Sequence, residues 1–118
     1  HLDMNGETTA NIQPQLFERA ISNVINNAIR HSPSGAEVYI TLDGPKLQIT
    51  NTQTTIDEME LTQLFTPFYR IDKSRNRSAG GSGLGLYIVK TILDAHKMRY
   101  FIENSENSVV FTINLNQT

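Results

Sequence analysis

The 118-residue chain, 38% apolar and 19% charged, has ordinary globular composition and room for one compact core, not two. A formal net charge of −2 argues against a nucleic-acid module, which needs a basic surface to meet phosphates. Cysteine is absent, so disulfides and thiolate metal sites are excluded, and no apolar run approaches the roughly 20 residues that span a bilayer. These features predict a single soluble domain over residues 1–118 in a cytoplasmic setting, with no signal-peptide pattern. The chain opens on His1 and not on Met, which reads as a piece excised from something longer.

In chain order, Leu2, Met4 and Ile12 predict one or two short edge strands within residues 1–13. Pro14 suits a first helical turn, where its missing N–H costs nothing. From Leu16 the apolar residues Phe17, Ala20, Ile21, Val24, Ile25, Ala28 and Ile29 recur at helical spacing, and Ser32-Pro33-Ser34-Gly35 stops the helix. Val38, Ile40 and Leu42 alternate with polar neighbours, Asp43-Gly44-Pro45 turns the chain, and Leu47 and Ile49 return as a hairpin. Met59 to Phe65 is helix-like and is followed by Pro67. The polar run from Asp72 to Ser82 lacks core residues, as a lid over a site or a disordered segment does. A second helix from Leu84 carries Val89, Ile92, Leu93 and His96. Tyr100 and Ile102, then Val109, Phe111, Ile113 and Leu115, predict a closing hairpin with its turn at Asn104 to Asn107. Two helices cannot cover both faces of such a sheet. The expected fold is therefore α+β, a two-layer sandwich with helices on one face of a mixed sheet.

Three groups of residues carry chemistry. On the first helix, Asn23, Asn27 and Arg30 share one narrow stripe bordering the apolar arc, while Asn26 points further to the polar side. Asparagine is a mediocre helix former. A lone one reads as a surface amide, but two stacked beside a buried face suit oxygen ligation of a phosphate-held Mg²⁺, with Arg30 facing phosphate. Gly81-Ser82-Gly83-Leu84-Gly85-Leu86 opens a helix, where free N–H groups and the positive dipole end attract an anion. It is neither a P-loop nor a Rossmann fingerprint. Phe65-Thr66-Pro67-Phe68-Tyr69-Arg70 sets aromatics around a proline as an anchor, with Arg70 placed to reach a phosphate. His96 reads as a structural histidine at a helix C-terminus, facing the carbonyls.

Together these motifs resemble the ATP-binding catalytic domains of sensor histidine kinases. Asn23 to Pro33 looks like their asparagine box, Phe65 to Arg70 like their phenylalanine box, and Gly81 to Leu86 like their second glycine box. The likeness extends from Leu16 to Leu115 in matching order. The Phe68-Tyr69-Arg70 detail resembles membrane-bound sensors that pair with winged-helix response regulators.

The resemblance implies a Bergerat-type fold, with ATP and Mg²⁺ as cofactors. It implies that Asn27 ligates the metal and Asn23 supports metal and phosphates. Arg30 and His31 would line the nucleotide site, together with Asn51, Ile56, Phe65 and Tyr69. Arg70 would approach the γ-phosphate. Gly81, Gly83, Leu84, Gly85 and Leu86 would hold the hinge and the phosphates, and residues from about 57 to 82 would form the lid. The implied activity is transfer of the γ-phosphoryl group to a histidine on a separate dimerisation domain of the same protein, and from there to a cognate response regulator. The full-length protein would be a membrane-bound homodimer, and the isolated domain a cytoplasmic monomer.

One motif departs from the family. Its first glycine box reads Asp-x-Gly-x-Gly, the Asp accepting from the adenine amino group, whereas this chain has Asn51-Thr52-Gln53-Thr54-Thr55. A neutral acceptor is weaker than a carboxylate, and Gln53 and Thr55 must fit where glycines stand. Restoring Asp, Gly and Gly is expected to tighten ATP binding, at a cost of roughly 0.5–1 kcal/mol of stability per glycine. Lys97-Met98 likewise replaces the Gly-Gly that follows the second helix's histidine. Two other classes stay open. One is a regulatory module whose altered box no longer holds ATP. The other is a serine kinase or gyrase-type ATPase on the same fold. The gyrase class is disfavoured because it places a glutamate base four residues before the metal-binding Asn, where this chain has Asn23.

Overall fold

The computed structural model describes residues 2–5, 10–67 and 85–117, with backbone alone at residues 3–5. Five strands, β1 (Leu2–Asn5), β2 (Val38–Asp43), β3 (Lys46–Thr52), β4 (Met98–Ser105) and β5 (Ser108–Gln117), form one sheet in the order β1-β2-β3-β5-β4. β1 runs parallel to β2, and every other pair is antiparallel, so the sheet is mixed as expected. The helices are α1 (Pro14–Arg30), α2 (Glu58–Leu61) and α3 (Gly85–Ala95).

Alternation sorts the strand residues onto two faces. Ile40, Ile49, Phe111 and Ile102 are register partners across β2, β3, β5 and β4, and this row faces the helices. Ile49, Phe111 and Ile113 are buried there with Val24 and Ala28 of α1 and Leu86, Val89 and Leu93 of α3. The opposite face carries the row Thr41, Gln48, Thr112 and Phe101, with Gln48 donating to Thr112 over 3.2 Å. The helices therefore bury one face of the sheet only. Two tight turns close the hairpins, with Gly44 at φ +57° in the first and Glu106 at φ +57° in the second.

The two long helices are antiparallel. The Phe17 ring meets the His96 ring edge-on at 5.8 Å, so the start of α1 lies beside the end of α3. His96 also fastens that start. Its Nε2 accepts the Gln13 N–H over 2.9 Å, and its Nδ1 lies 2.8 Å from the Ile92 carbonyl oxygen. The carbonyl can only accept, so the ring is the neutral Nδ1–H tautomer. This pairing substitutes for a side-chain cap, which Gln13 does not provide. The sequence expectation of a structural histidine facing the carbonyls agrees.

Three local differences from the sequence reading have physical causes. Ile12 lies outside any strand, so residues 10–13 contribute no second edge strand. The piece expected over Met59 to Phe65 is regular only over Glu58–Leu61. Asp57 caps its start by accepting the Met59 N–H over 3.0 Å, and the chain then tightens into i→i+3 turns, Gln63 N–H to Glu60 and Thr66 N–H to Gln63. β4 and β5 also slip register between Met98 and Arg99, an irregularity that alternation alone does not reveal.

Candidate functional site

The chemistry-bearing residues of α1 occupy the end of the helix away from His96. Asn23 and Asn27 are half-buried on its edge, and Arg30 and His31 are exposed at its close. Among the described residues neither asparagine side chain hydrogen-bonds to another group. Their amides thus stand at the border of the core, with polar atoms that make no hydrogen bond among the described residues. The last turn is closed by the Ser32 hydroxyl, which donates to the Ala28 carbonyl over 2.6 Å. His31 is an exposed residue, yet desolvation of its imidazole and then the adjacent Arg30 charge hold its pKa below the ordinary 6.5.

β3 brings the first glycine box against this turn. Asn51 is 8% exposed, and its Nδ2 donates to the Ala28 carbonyl over 2.7 Å and to the Ser32 hydroxyl over 3.3 Å. A carbonyl oxygen only accepts, so the amide orientation is fixed and Oδ1 is turned away from α1. Gln53 then takes φ +58°, the left-handed conformation that favours glycine. The side chains of Gln53 and Thr55 are both exposed, so neither crowds the core.

The chain between β3 and α2 is held from the far strands. Thr54 N–H donates to the Asn107 carbonyl over 3.2 Å. Two residues on, Asn104 takes both backbone groups of Ile56: Oδ1 accepts its N–H at 2.9 Å and Nδ2 donates to its carbonyl at 2.6 Å. Ile56 packs against the core.

Phe65 anchors the phenylalanine box. Its ring meets Tyr100 at 5.3 Å and Phe111 at 5.9 Å, both edge-on, while Tyr100 and Phe111 stack at 6.5 Å. Burial and the Asp94 carboxylate push the Tyr100 phenol well above its ordinary pKa, and its hydroxyl donates to Asp94 over 2.8 Å. Lys90 closes the set with a 2.8 Å ion pair to Asp94.

The first described turn of α3 lies at the same end as Asn27. Both helices rise about 1.5 Å per residue. Counting from the Phe17–His96 contact, the 11 residues of α3 bring Gly85 level with the last turns of α1. Gly85 is exposed there and Leu86 is buried beneath it. Asn23, Asn27, Arg30, His31, Asn51, Ile56, Phe65, Gly85 and Leu86 thus lie among the described residues. Tyr69, Arg70, Gly81, Gly83 and Leu84, with most of the expected lid, lie outside them.

Among the described residues no three His, Cys, Asp or Glu side chains cluster, so they offer no protein-only metal cage. Neutral asparagine oxygens fit a cation that arrives already bound to phosphates. A hollow of 330 Å³ lined by Gln13, His96, Lys97 and Gln117 lies at the opposite end and takes no part in this arrangement. Sequence reasoning missed Ser32 and Asn104. The signal for Asn104 was present: it follows Tyr100 and Ile102 at period two, which puts an amide where alternation demands a core residue.

Comparison with known proteins agrees with this fold. The model of the histidine kinase-, DNA gyrase B- and HSP90-like ATPases matches residues 12–118. Sensor protein VanSB of Enterococcus faecalis is 43% identical over 109 residues, 89% of this chain and 24% of VanSB. Sensor histidine kinase CusS of Escherichia coli is 38% identical over 106 residues, 86% of this chain and 22% of CusS. The mycobacterial sensor histidine kinase MprB superposes with a TM-score of 0.75 at 27% identity, over 97% of this chain and 82% of that one. The chain spans about a quarter of the length of the curated relatives it matches.

Proposed function

Given that this chain belongs to the histidine kinase-, DNA gyrase B- and HSP90-like ATPase family, as a catalytic domain of the sensor histidine kinase type, we propose that it binds ATP with Mg²⁺ between α1, the β3–α2 connection and the start of α3. In its full protein it would pass the γ-phosphoryl group to a histidine on the dimerisation and phosphotransfer domain, from which a response regulator takes it. That protein would be a membrane-bound homodimer with this domain on the cytoplasmic side, and the isolated domain a monomer. The observation that carries the reading is the Asn51–Ala28 hydrogen bond, which joins the first glycine box to the asparagine box.

Phosphoryl transfer asks a protein mainly for positioning and charge neutralisation. Asn51 Oδ1, held outward by the α1 carbonyl, is an acceptor for the adenine amino group. Ile56 and Phe65 supply apolar wall, and both pack on the core. Asn27, supported by Asn23, would hold Mg²⁺, which neutralises charge on the phosphates. Arg30 and His31 line the phosphate side. The second glycine box, with Arg70, would close over the γ-phosphate as part of a lid over residues 57–82. With ATP bound, the histidine of the separate domain would supply the attacking nitrogen and ADP would be the leaving group, while the residues of this chain would hold and orient the nucleotide.

The left-handed backbone at Gln53, a conformation that glycine favours, weighs against the alternative of a regulatory module that has lost ATP. The test is Asn27→Ala. Because the Asn27 side chain makes no hydrogen bond among the described residues, the variant should lose Mg²⁺-dependent nucleotide binding with circular dichroism and melting nearly unchanged. Undiminished MgATP binding would remove the asparagine assignment. Labelled ATP should phosphorylate the protein's own dimerisation domain in acid-labile linkage and leave the isolated chain unlabelled. Acid-stable phosphoserine would point to a serine kinase instead.

A further inference from the structure

Val38, Asn51, Val109 and Asn104 are register partners across β2, β3, β5 and β4, one step from the apolar row toward the site. Asn51 and Asn104 therefore stand on the same face of the sheet, two strands apart, which is about 10 Å at ordinary strand spacing. Each amide reaches out of the sheet to a different element. Asn51 holds the last turn of α1, and Asn104 holds the backbone of Ile56. An amide side chain that both accepts from and donates to one residue's main chain replaces a peptide of a missing strand. Ile56 is thereby fixed as if paired to β4, although it lies 48 positions earlier in sequence.

We propose that Asn104 is a positioning residue for base recognition: it fixes the wall made by Ile56 opposite the acceptor of Asn51. The inference rests on the nucleotide reading of the site and adds to it a residue on the edge strand. The stretch between Gln53 and Asp57 has few ties of its own. Among the described residues its main-chain bonds to the β4–β5 hairpin are the Thr54–Asn107 contact at the turn and the Asn104 pair on β4. Removing the amide leaves Ile56 N–H and C=O to water and frees the wall to move, while the sheet ladder of β4, made by backbone groups, is untouched. The consequence falls on the base and not on the phosphates, which are met at α1 and α3.

The experiment compares MgATP with magnesium tripolyphosphate, which has the phosphates and no base, on the same 118-residue chain by calorimetric titration and competition. Asn104→Ala should weaken MgATP binding about tenfold, as loss of one to two hydrogen bonds' worth of positioning allows. Tripolyphosphate binding should stay within a factor of about two of the parent. Asn104→Asp, of equal size, keeps an acceptor for the Ile56 N–H but sets oxygen against the Ile56 carbonyl, and should also weaken ATP selectively. Unchanged ATP affinity in both variants overturns the proposal, as does equal loss of both ligands. Unfolding of both variants overturns it too, because the amide would then determine the fold and not the position of the wall. A parent chain that binds tripolyphosphate but not ATP, or neither, removes the nucleotide reading itself. That outcome is distinct, since it appears before any substitution is made.

Discussion

The Nδ2 of Asn51 donates to the Ala28 carbonyl oxygen over 2.7 Å, and this single contact decides what position 51 tolerates. A carboxylate there, as the family pattern has it, would place oxygen against oxygen at a site 8% exposed. Asn51→Asp should therefore not tighten ATP binding on its own. It should cost about 1–3 kcal/mol of stability at neutral pH, the usual penalty for an unpaired buried acceptor. The strained carboxyl would have a raised pKa, so the variant should regain stability relative to its parent as pH falls and the group protonates. Urea melts at pH 5 and 7.5 measure this, and an equal deficit at both would contradict it.

The glycine substitutions should part company with each other. Gln53 at φ +58° and Lys97 at φ +60° adopt backbone that L side chains reach at a cost of roughly 1–2 kcal/mol. Relief of that strain outweighs the unfolded-state entropy that glycine adds, roughly 0.4–1 kcal/mol. Gln53→Gly and Lys97→Gly should each stabilise the fold by about 0.5 kcal/mol. Thr55, whose φ is not positive, should lose about that much on the same change. The uniform cost expected from sequence is thus corrected in sign at position 53. Thermal melts of the three single variants decide it, and a common sign for all three would refute the strain argument.

His96→Ala should destabilise the chain by about 2–4 kcal/mol, because it removes a buried ring and leaves the Gln13 N–H without its acceptor. The site lies at the other end of the helix layer, so nucleotide affinity of the fraction that remains folded should be unchanged. Nitrogen NMR should find His96 protonated at Nδ1 and not at Nε2. The opposite tautomer would break the assignment.

Much of this was legible in the chain. The apolar positions of α1 and α3 and the period-two runs of β2, β3 and β5 define the two-layer sandwich, because burying one stripe or one face is all those patterns can do. The asparagine box was readable because Asn23 and Asn27 sit beside an apolar arc. The period-two run of β4 sets Asn104 on the core face, but its partner is a backbone 48 positions away that no periodicity indicates. The Asn51 contact was hidden for a related reason. The family resemblance implies an acceptor for a ligand, whereas the carbonyl that fixes the amide belongs to the turn of another element. Left-handed backbone at Gln53 and Lys97 was likewise invisible where the residue type argues against it.

The imidazole of His31 provides a probe of the phosphate side. Desolvation is the larger cause of its lowered pKa and the Arg30 charge the smaller. Arg30→Gln should therefore move the His31 midpoint upward without restoring 6.5, as followed by the ring proton shifts against pH. The sign for stability follows from proton counting. Below 6.5 the unfolded chain binds a proton that the folded His31 resists, so this contribution is fully present above 6.5 and is lost as pH falls from 6.5 through the folded value. MgATP should reverse the shift in the folded protein, because triphosphate oxygens near the ring favour imidazolium. A His31 midpoint that rises on adding MgATP, and rises less in Asn27→Ala, places the phosphates at the end of α1. A midpoint indifferent to nucleotide, in a chain that demonstrably binds it, would put the phosphates elsewhere.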